Sequence, residues 1–225
     1  MNSEETAVLH DAPFLARFGL KFDRAEYAAL MSGQTGTAFL QRMNQECLRQ
    51  TGQPLPDDFQ ERLRENYRYQ VAHLLKQVEG AGALVRTLKD AGIPIAVASN
   101  GERESLKRKL EKAALYDIVH PHIYNKDDCG GKPKPAPDLY LYVAKKLSMA
   151  PSDCIVIEDS PTGIAAAKAA GMYTIGYAGG LHRNSHYSNV LLQSGADIIV
   201  NTMAEASDII HKLLKPVKMR TSTLK

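Results

Sequence analysis

Apolar residues in the first third of the chain recur at helical spacing. Ala7, Val8, Phe14, Leu15 and Phe18 share one face, and Gly19 is placed to stop that helix. Asp23 caps a short helix ending at Leu30, a further helix covers 37–49, and Pro54 and Pro56 then break the chain. Residues 57–77 predict a long helix rich in Arg, Glu and Tyr. No strand pattern occurs anywhere in 4–78.

The pattern changes after Gly80. A helix over 83–91 ends at Gly92, and the short apolar run 93–98 is bounded by turn residues, as in a buried parallel strand. A charged amphipathic helix follows at 102–112, then a weak strand at 122–124 and a helix at 138–147. Strands at 154–157, 172–177 and 197–200 then alternate with helices at 161–170, 187–193 and 204–214. This alternation predicts an α/β fold, doubly wound and Rossmann-like, with a mostly parallel sheet and helices on both faces. The strandless block at 4–78 reads as a separate helical lobe, 79–215 as the α/β core, and 216–225 as a flexible basic tail.

Composition narrows the function classes. The 225 residues are 44% hydrophobic and 24% charged, as in a globular protein. The net charge of +3 is matched by Lys218, Arg220 and Lys225 in the tail, which leaves the body neutral. A nucleic-acid or anionic-membrane partner needs a broad basic face, so neither is expected. The three cysteines, Cys47, Cys129 and Cys154, show no metal-binding spacing and read as reduced thiols of a cytoplasmic protein. The N-terminus carries no signal-peptide pattern, and no apolar run reaches the ~18–20 residues of a membrane span.

In open α/β sheets, ligands sit beyond the carboxyl ends of the strands. Ser99, Asn100 and Gly101 lie at such an end, just before a helix, where a hydroxyl and backbone N–H groups suit a phosphate. The alternative is that Ser99 or Asn100 only caps the helix. Glu158 and Asp159 end another strand; paired hard-oxygen donors suit Mg²⁺, or else Asp159 and Ser160 form a capping turn. Lys134 sits in a loop stiffened by Pro133, Pro135 and Pro137, so a cation is presented at reduced entropic cost, unless it is a solvated surface lysine. Together these clusters supply a hydroxyl, a cation and paired acids, the inventory of phosphoryl transfer.

Lys134-Pro-Ala-Pro-Asp138 and Ile157-Glu-Asp-Ser-Pro-Thr-Gly-Ile-Ala-Ala-Ala-Lys-Ala-Ala-Gly171 resemble the haloacid dehalogenase superfamily of phosphohydrolases. The branch most resembled is the β-phosphoglucomutase-like one, which includes sugar-phosphate phosphatases. The resemblance spans residues 2–212. It implies that Ser99 binds the transferring phosphoryl group, that Lys134 balances charge there, and that Glu158 and Asp159 hold Mg²⁺. Lys132 also sits in a Lys-Pro-x-Pro frame, but Asp138 follows Lys134 at the spacing the family has. The block at 4–78 resembles the helical cap that closes over the substrate.

One motif of the family has no counterpart. An apolar strand ending in Asp-x-Asp would carry the nucleophile and the general acid/base. Asn2-Ser3-Glu4 resembles only the tail of that motif, and Asp11 and Asp23 lie in cap sequence with no apolar strand before them. The chain as printed is therefore expected to be inactive. A miscalled start codon is the favoured account, with genuine loss of the first core strand as the other. Gln34, Thr35 and Arg42 are candidates to contact substrate from the cap. The turn 32–37 lacks the arginine typical of the mutase branch, which favours a magnesium-dependent phosphatase of small sugar phosphates. A phosphomutase and an inactive phosphate-binding or interaction protein on the same fold are the alternatives.

Overall fold

The computed structural model describes residues 3–23, 26–27, 30, 36–180 and 185–214. Gln34, Thr35 and the expected tail at 216–225 lie outside the described residues. The first block is helical: α1 (Ser3–His10), α2 (Ala12–Ala16), α3 (Gly36–Thr51) and α4 (Phe59–His73). Where the pattern read as one helix up to Gly19, the chain breaks at Asp11 between α1 and α2. Pro13 lies in the first turn of α2 and has no N–H to continue an α-helical ladder. Gly19, with φ of 75°, then ends the segment in a conformation that favours glycine. Asp23 and Glu26 exchange reciprocal bonds, the Asp23 N–H donating to Glu26 Oε2 and the Glu26 N–H to Asp23 Oδ1. This capping box satisfies two otherwise unpaired donors at the expected helix start.

The second block alternates as the pattern required. It runs α5 (Ala81–Asp90), β1 (Val97–Ser99), α6 (Arg103–Lys112), α7 (Tyr116–Val119), β2 (Ile123–Asn125) and α8 (Asp138–Lys146). It continues β3 (Ile155–Glu158), α9 (Pro161–Ala169), β4 (Tyr173–Tyr177), α10 (Ser185–Gln193), β5 (Ile198–Val200) and α11 (Met203–Leu214). All described strand pairs are parallel. Of the apolar run 93–98, only Val97 and Ala98 join a strand; Pro94 has no N–H for a ladder, and the pairing partner β2 begins only at Ile123.

The sheet is split. β1 pairs only with β2, in the register Ser99 opposite Asn125, and a separate sheet has the order β3-β4-β5. Among the described residues no strand pairs with the second edge of β1 or of β3. All of β1 is only half-buried, whereas four of the five residues of β4, paired on both sides, are buried. The two pieces nevertheless share packing, because Ala98 of β1 lies against the cluster that contains Val156 of β3.

Hydrophobic packing separates the blocks. One cluster draws only on residues 8–63, with Phe14, Phe18 and Phe59 stacked at ring-centroid distances of 4.9–5.9 Å. The other four clusters draw only on residues 78–214. Helix α4 docks on α6 through polar contacts: Lys112 Nζ donates to the Ala72 carbonyl, and Lys109 Nζ lies 5.2 Å from the Tyr67 ring centroid. Just beyond α4, Gln77 Nε2 donates to the Ala113 carbonyl at 3.1 Å. No described helix is long and apolar enough to cross a membrane.

Candidate active site

The carboxyl ends of β1 and β3 bring Ser99, Asn100, Lys134, Glu158 and Asp159 into one region. Lys134 is buried, and its ammonium spans the gap between the two sheets. It donates to the Ala98 carbonyl of β1 at 3.1 Å and to Glu158 Oε1 at the end of β3. Lys132, the other lysine in a Lys-Pro-x-Pro frame, points to solvent and pairs with Asp138 at 3.1 Å. The loop itself is held by Asn100, whose Oδ1 accepts from the Lys134 N–H at 2.8 Å while Nδ2 donates to the Lys134 carbonyl at 3.3 Å. Asn100 therefore positions Lys134. Ser99 Oγ accepts from the Gly101 N–H at 3.1 Å, so the turn after β1 is closed locally.

Tyr140 completes the unit and was not singled out from sequence. Its hydroxyl accepts from Lys134 Nζ at 2.8 Å and donates to Glu158 Oε1 at 2.6 Å, and its ring centroid lies 4.5 Å from the same ammonium. An aromatic residue on the buried face of α8 looks like core in a sequence; only its hydroxyl, six residues after the lysine, hinted at a polar task. Burial raises the Tyr140 phenol well above its ordinary value, and the Glu158 charge adds to this. Burial also pushes the Glu158 carboxyl up. The Lys134 charge, with hydrogen bonds from Lys134, Tyr140 and Ser160, outweighs it and leaves Glu158 below its ordinary value.

Glu158 is held on its second oxygen too. Oε2 accepts from Ser160 Oγ at 3.1 Å and from the Asp159 N–H at 3.2 Å. Ser160 is also the N-cap of α9, accepting from the Gly163 N–H at 3.1 Å. Ser160→Ala loses both bonds and should cost about 1 kcal/mol in urea unfolding; no change would mean the cap is replaced by solvent. Asp159 is exposed, and its carbonyl accepts from Tyr187 Oη at 2.7 Å. Arg42 is exposed on α3, and no described hydrogen bond or ion pair joins it to these residues.

The donor set at the tip of β3 is hard oxygen, the kind Mg²⁺ takes. Two adjacent carboxylates fit part of such a site, with Asp159 the more exposed and Glu158 oriented by its neighbours. Among the described residues no group of three or more His, Cys, Asp or Glu side chains converges. The thiols of Cys47, Cys129 and Cys154 are all free and lie in different parts of the fold.

The family model for haloacid dehalogenase-like hydrolases fits residues 7–171. The chain belongs to this haloacid dehalogenase-like hydrolase family. Similar proteins in the family include the bifunctional riboflavin kinase/FMN phosphatase of Arabidopsis thaliana, 36% identical over 58% of this chain and 33% of that protein. The phosphorylated carbohydrates phosphatase of Thermotoga maritima is 31% identical over 64% of each. A haloacid dehalogenase family hydrolase from Deinococcus radiodurans, solved with bound phosphate and sodium, is 33% identical at a TM-score of 0.78. That alignment covers 90% of this chain and 86% of the Deinococcus one. The chain spans between 33% and 64% of the length of the two curated relatives.

Proposed function

We propose that this haloacid dehalogenase-like hydrolase is a magnesium-dependent phosphatase of small phosphorylated metabolites, sugar phosphates foremost. The observation that carries the reading is the buried Lys134–Glu158–Tyr140 unit, set at the ends of β1 and β3, each of which has one edge unpaired among the described residues. The phosphorylated-carbohydrate phosphatase among its relatives supports the substrate class, and the bound phosphate of the Deinococcus hydrolase supports the ligand.

In this reading Lys134 and Ser99 receive the phosphoryl group, the ammonium offsetting charge that builds on its oxygens. Tyr140 fixes the ammonium and Asn100 the backbone that carries it, which lowers the cost of orienting it. Glu158 and Asp159 would hold Mg²⁺, which supplies further positive charge to the phosphoryl oxygens when bound. The nucleophile in this reading is an aspartate. Its oxygen forms a bond to phosphorus as the bond to the sugar oxygen breaks, and the leaving alcohol takes a proton from a neighbouring acid. Water then attacks phosphorus, phosphate departs, and the carboxylate is regenerated. Gln34, Thr35 and Arg42 of the cap would contact the rest of the substrate.

The test is enzymatic. The 225-residue chain, and a version extended through the coding sequence upstream of Met1, are assayed against a panel of sugar phosphates with and without Mg²⁺. Where turnover occurs it is expected only with the metal. Failure of both proteins to hydrolyse any phosphoester overturns the reading. A chain that binds phosphate without turnover is the second reading, favoured by the full hydrogen bonding of Glu158 within the protein. Release of a phosphorylated isomer in place of inorganic phosphate would mark a phosphomutase.

A further inference from the structure

Asp159 is exposed at the tip of β3, yet its backbone is fastened on both sides. Its N–H donates to Glu158 Oε2 at 3.2 Å, and its carbonyl accepts from Tyr187 Oη at 2.7 Å. The next residue, Ser160, is fixed as the N-cap of α9 in an extended conformation, with φ of −121° and ψ of 143°. The two peptides that flank the Asp159 Cα are therefore both held. Together they set the direction in which its side chain leaves the backbone.

Tyr187 reaches this carbonyl from α10, 28 residues along the chain. Its ring packs with Leu191, one turn later on α10, and with Ile164 of α9 and Ala178, all three buried. Ala178 is itself anchored, because the chain leaves β4 along β5 and the Ala178 N–H donates to the Val200 carbonyl at 2.8 Å. Phenylalanine would fill this cluster equally well. The hydroxyl is what distinguishes the tyrosine, and it is bonded to the loop that carries the acids at the end of β3.

The two acids are thus oriented differently. Side chains bond the Glu158 carboxylate directly. Asp159 is aimed through its backbone, and Tyr187 is the part of that restraint supplied by a distant element. Carboxylates that ligate a metal depend on such outer partners, whose loss typically weakens metal binding by about 10–100-fold.

We propose that Tyr187 is a positioning residue for Asp159: its hydroxyl holds the Asp159 carbonyl and so aims the carboxylate that receives a divalent cation. This role rests on the reading above, in which Glu158 and Asp159 hold Mg²⁺. It ties α10 to the metal side of the site, as Tyr140 ties α8 to Lys134.

Mn²⁺ takes the same oxygen donors as Mg²⁺, and being paramagnetic it broadens the amide signals near it. It is titrated into the full 225-residue chain, and broadening is followed at residues 158–163. Tyr187→Phe keeps the ring in its cluster and should weaken Mn²⁺ binding by about tenfold, with the urea midpoint nearly unchanged. In an Asp159→Asn background the same substitution should change the affinity little, because the carboxylate it aims is already gone. Unchanged affinity in Tyr187→Phe overturns this role and leaves the phosphatase reading standing. Equal losses in both backgrounds also overturn it, since the hydroxyl would then act other than through Asp159. Absence of broadening near the end of β3 in the wild type removes the metal assignment itself, and this role with it.

Discussion

Replacing Lys134 by alanine should destabilise the protein by about 3–5 kcal/mol, because it strands a buried carboxylate. The side chains of Lys134 and Glu158 are only 6% and 11% exposed, so solvent cannot take the place of the lost ammonium. For a chain of this size such a loss lowers Tm by roughly 6–20 °C. The penalty depends on pH in a defined direction. In the wild type the Glu158 carboxyl is held below its ordinary value of 4.5, so the pair stabilises above that pH and its contribution is lost as pH falls through the lowered folded value. In Lys134→Ala only burial and the remaining hydrogen bonds act on Glu158; acid then neutralises an unpaired charge, and the gap between variant and wild type narrows. Lys134→Met combined with Glu158→Met removes both charges and should recover most of the stability. Urea unfolding at pH 7 and near pH 4 tests both points. A loss under about 1 kcal/mol at pH 7 would show that the pair is solvated in solution.

Gly163→Ala should be the most damaging methyl group that can be added near this site. A Cβ there would lie 2.1 Å from Glu158 Cδ and 2.2–2.3 Å from its two carboxylate oxygens. Elsewhere in a helix, glycine to alanine gains about 1 kcal/mol. Here the sign reverses, because the first turn of α9 is pressed against the carboxylate that Ser160 and Lys134 hold in place. Either α9 moves or Glu158 leaves its partners, and the expected cost is about 2 kcal/mol or more. The coupling is specific. In a Glu158→Ala background the clash has no target, so the same substitution should cost little. Equal losses in both backgrounds would place the strain in the helix itself.

Tyr140 and Gly163 show where reading the sequence stops. Ser99, Lys134, Glu158 and Asp159 stand out in the chain because each polar group follows an apolar run or sits among prolines. Tyr140 and Gly163 stand inside helices, where an aromatic residue reads as core and a glycine as a weak point. What they do depends on a neighbour across the fold, 18 residues away for Tyr140 and Glu158. Asn100 is a third case. A polar residue at a strand end suits both a phosphate and a loop, and its two bonds to the Lys134 backbone give it the second task in this structure.

The same division holds at the scale of the fold. Periodicity and turn residues in the chain were enough to mark an α/β fold with parallel strands, placed from the sequence at 93–98, 122–124, 154–157, 172–177 and 197–200 and found at 97–99, 123–125, 155–158, 173–177 and 198–200. Those signals are local, since each needs only one stretch of chain to bury one face. The tertiary structure alone decided that β1–β2 and β3–β4–β5 form separate sheets, and that Lys134 bridges their tips. It alone turned Asp11 inward, to accept from Tyr27, Asn66 and Gln70. Pairing, charge compensation and buried hydrogen bonds are properties of what meets in space, and residues far apart in the chain carry no local mark of meeting.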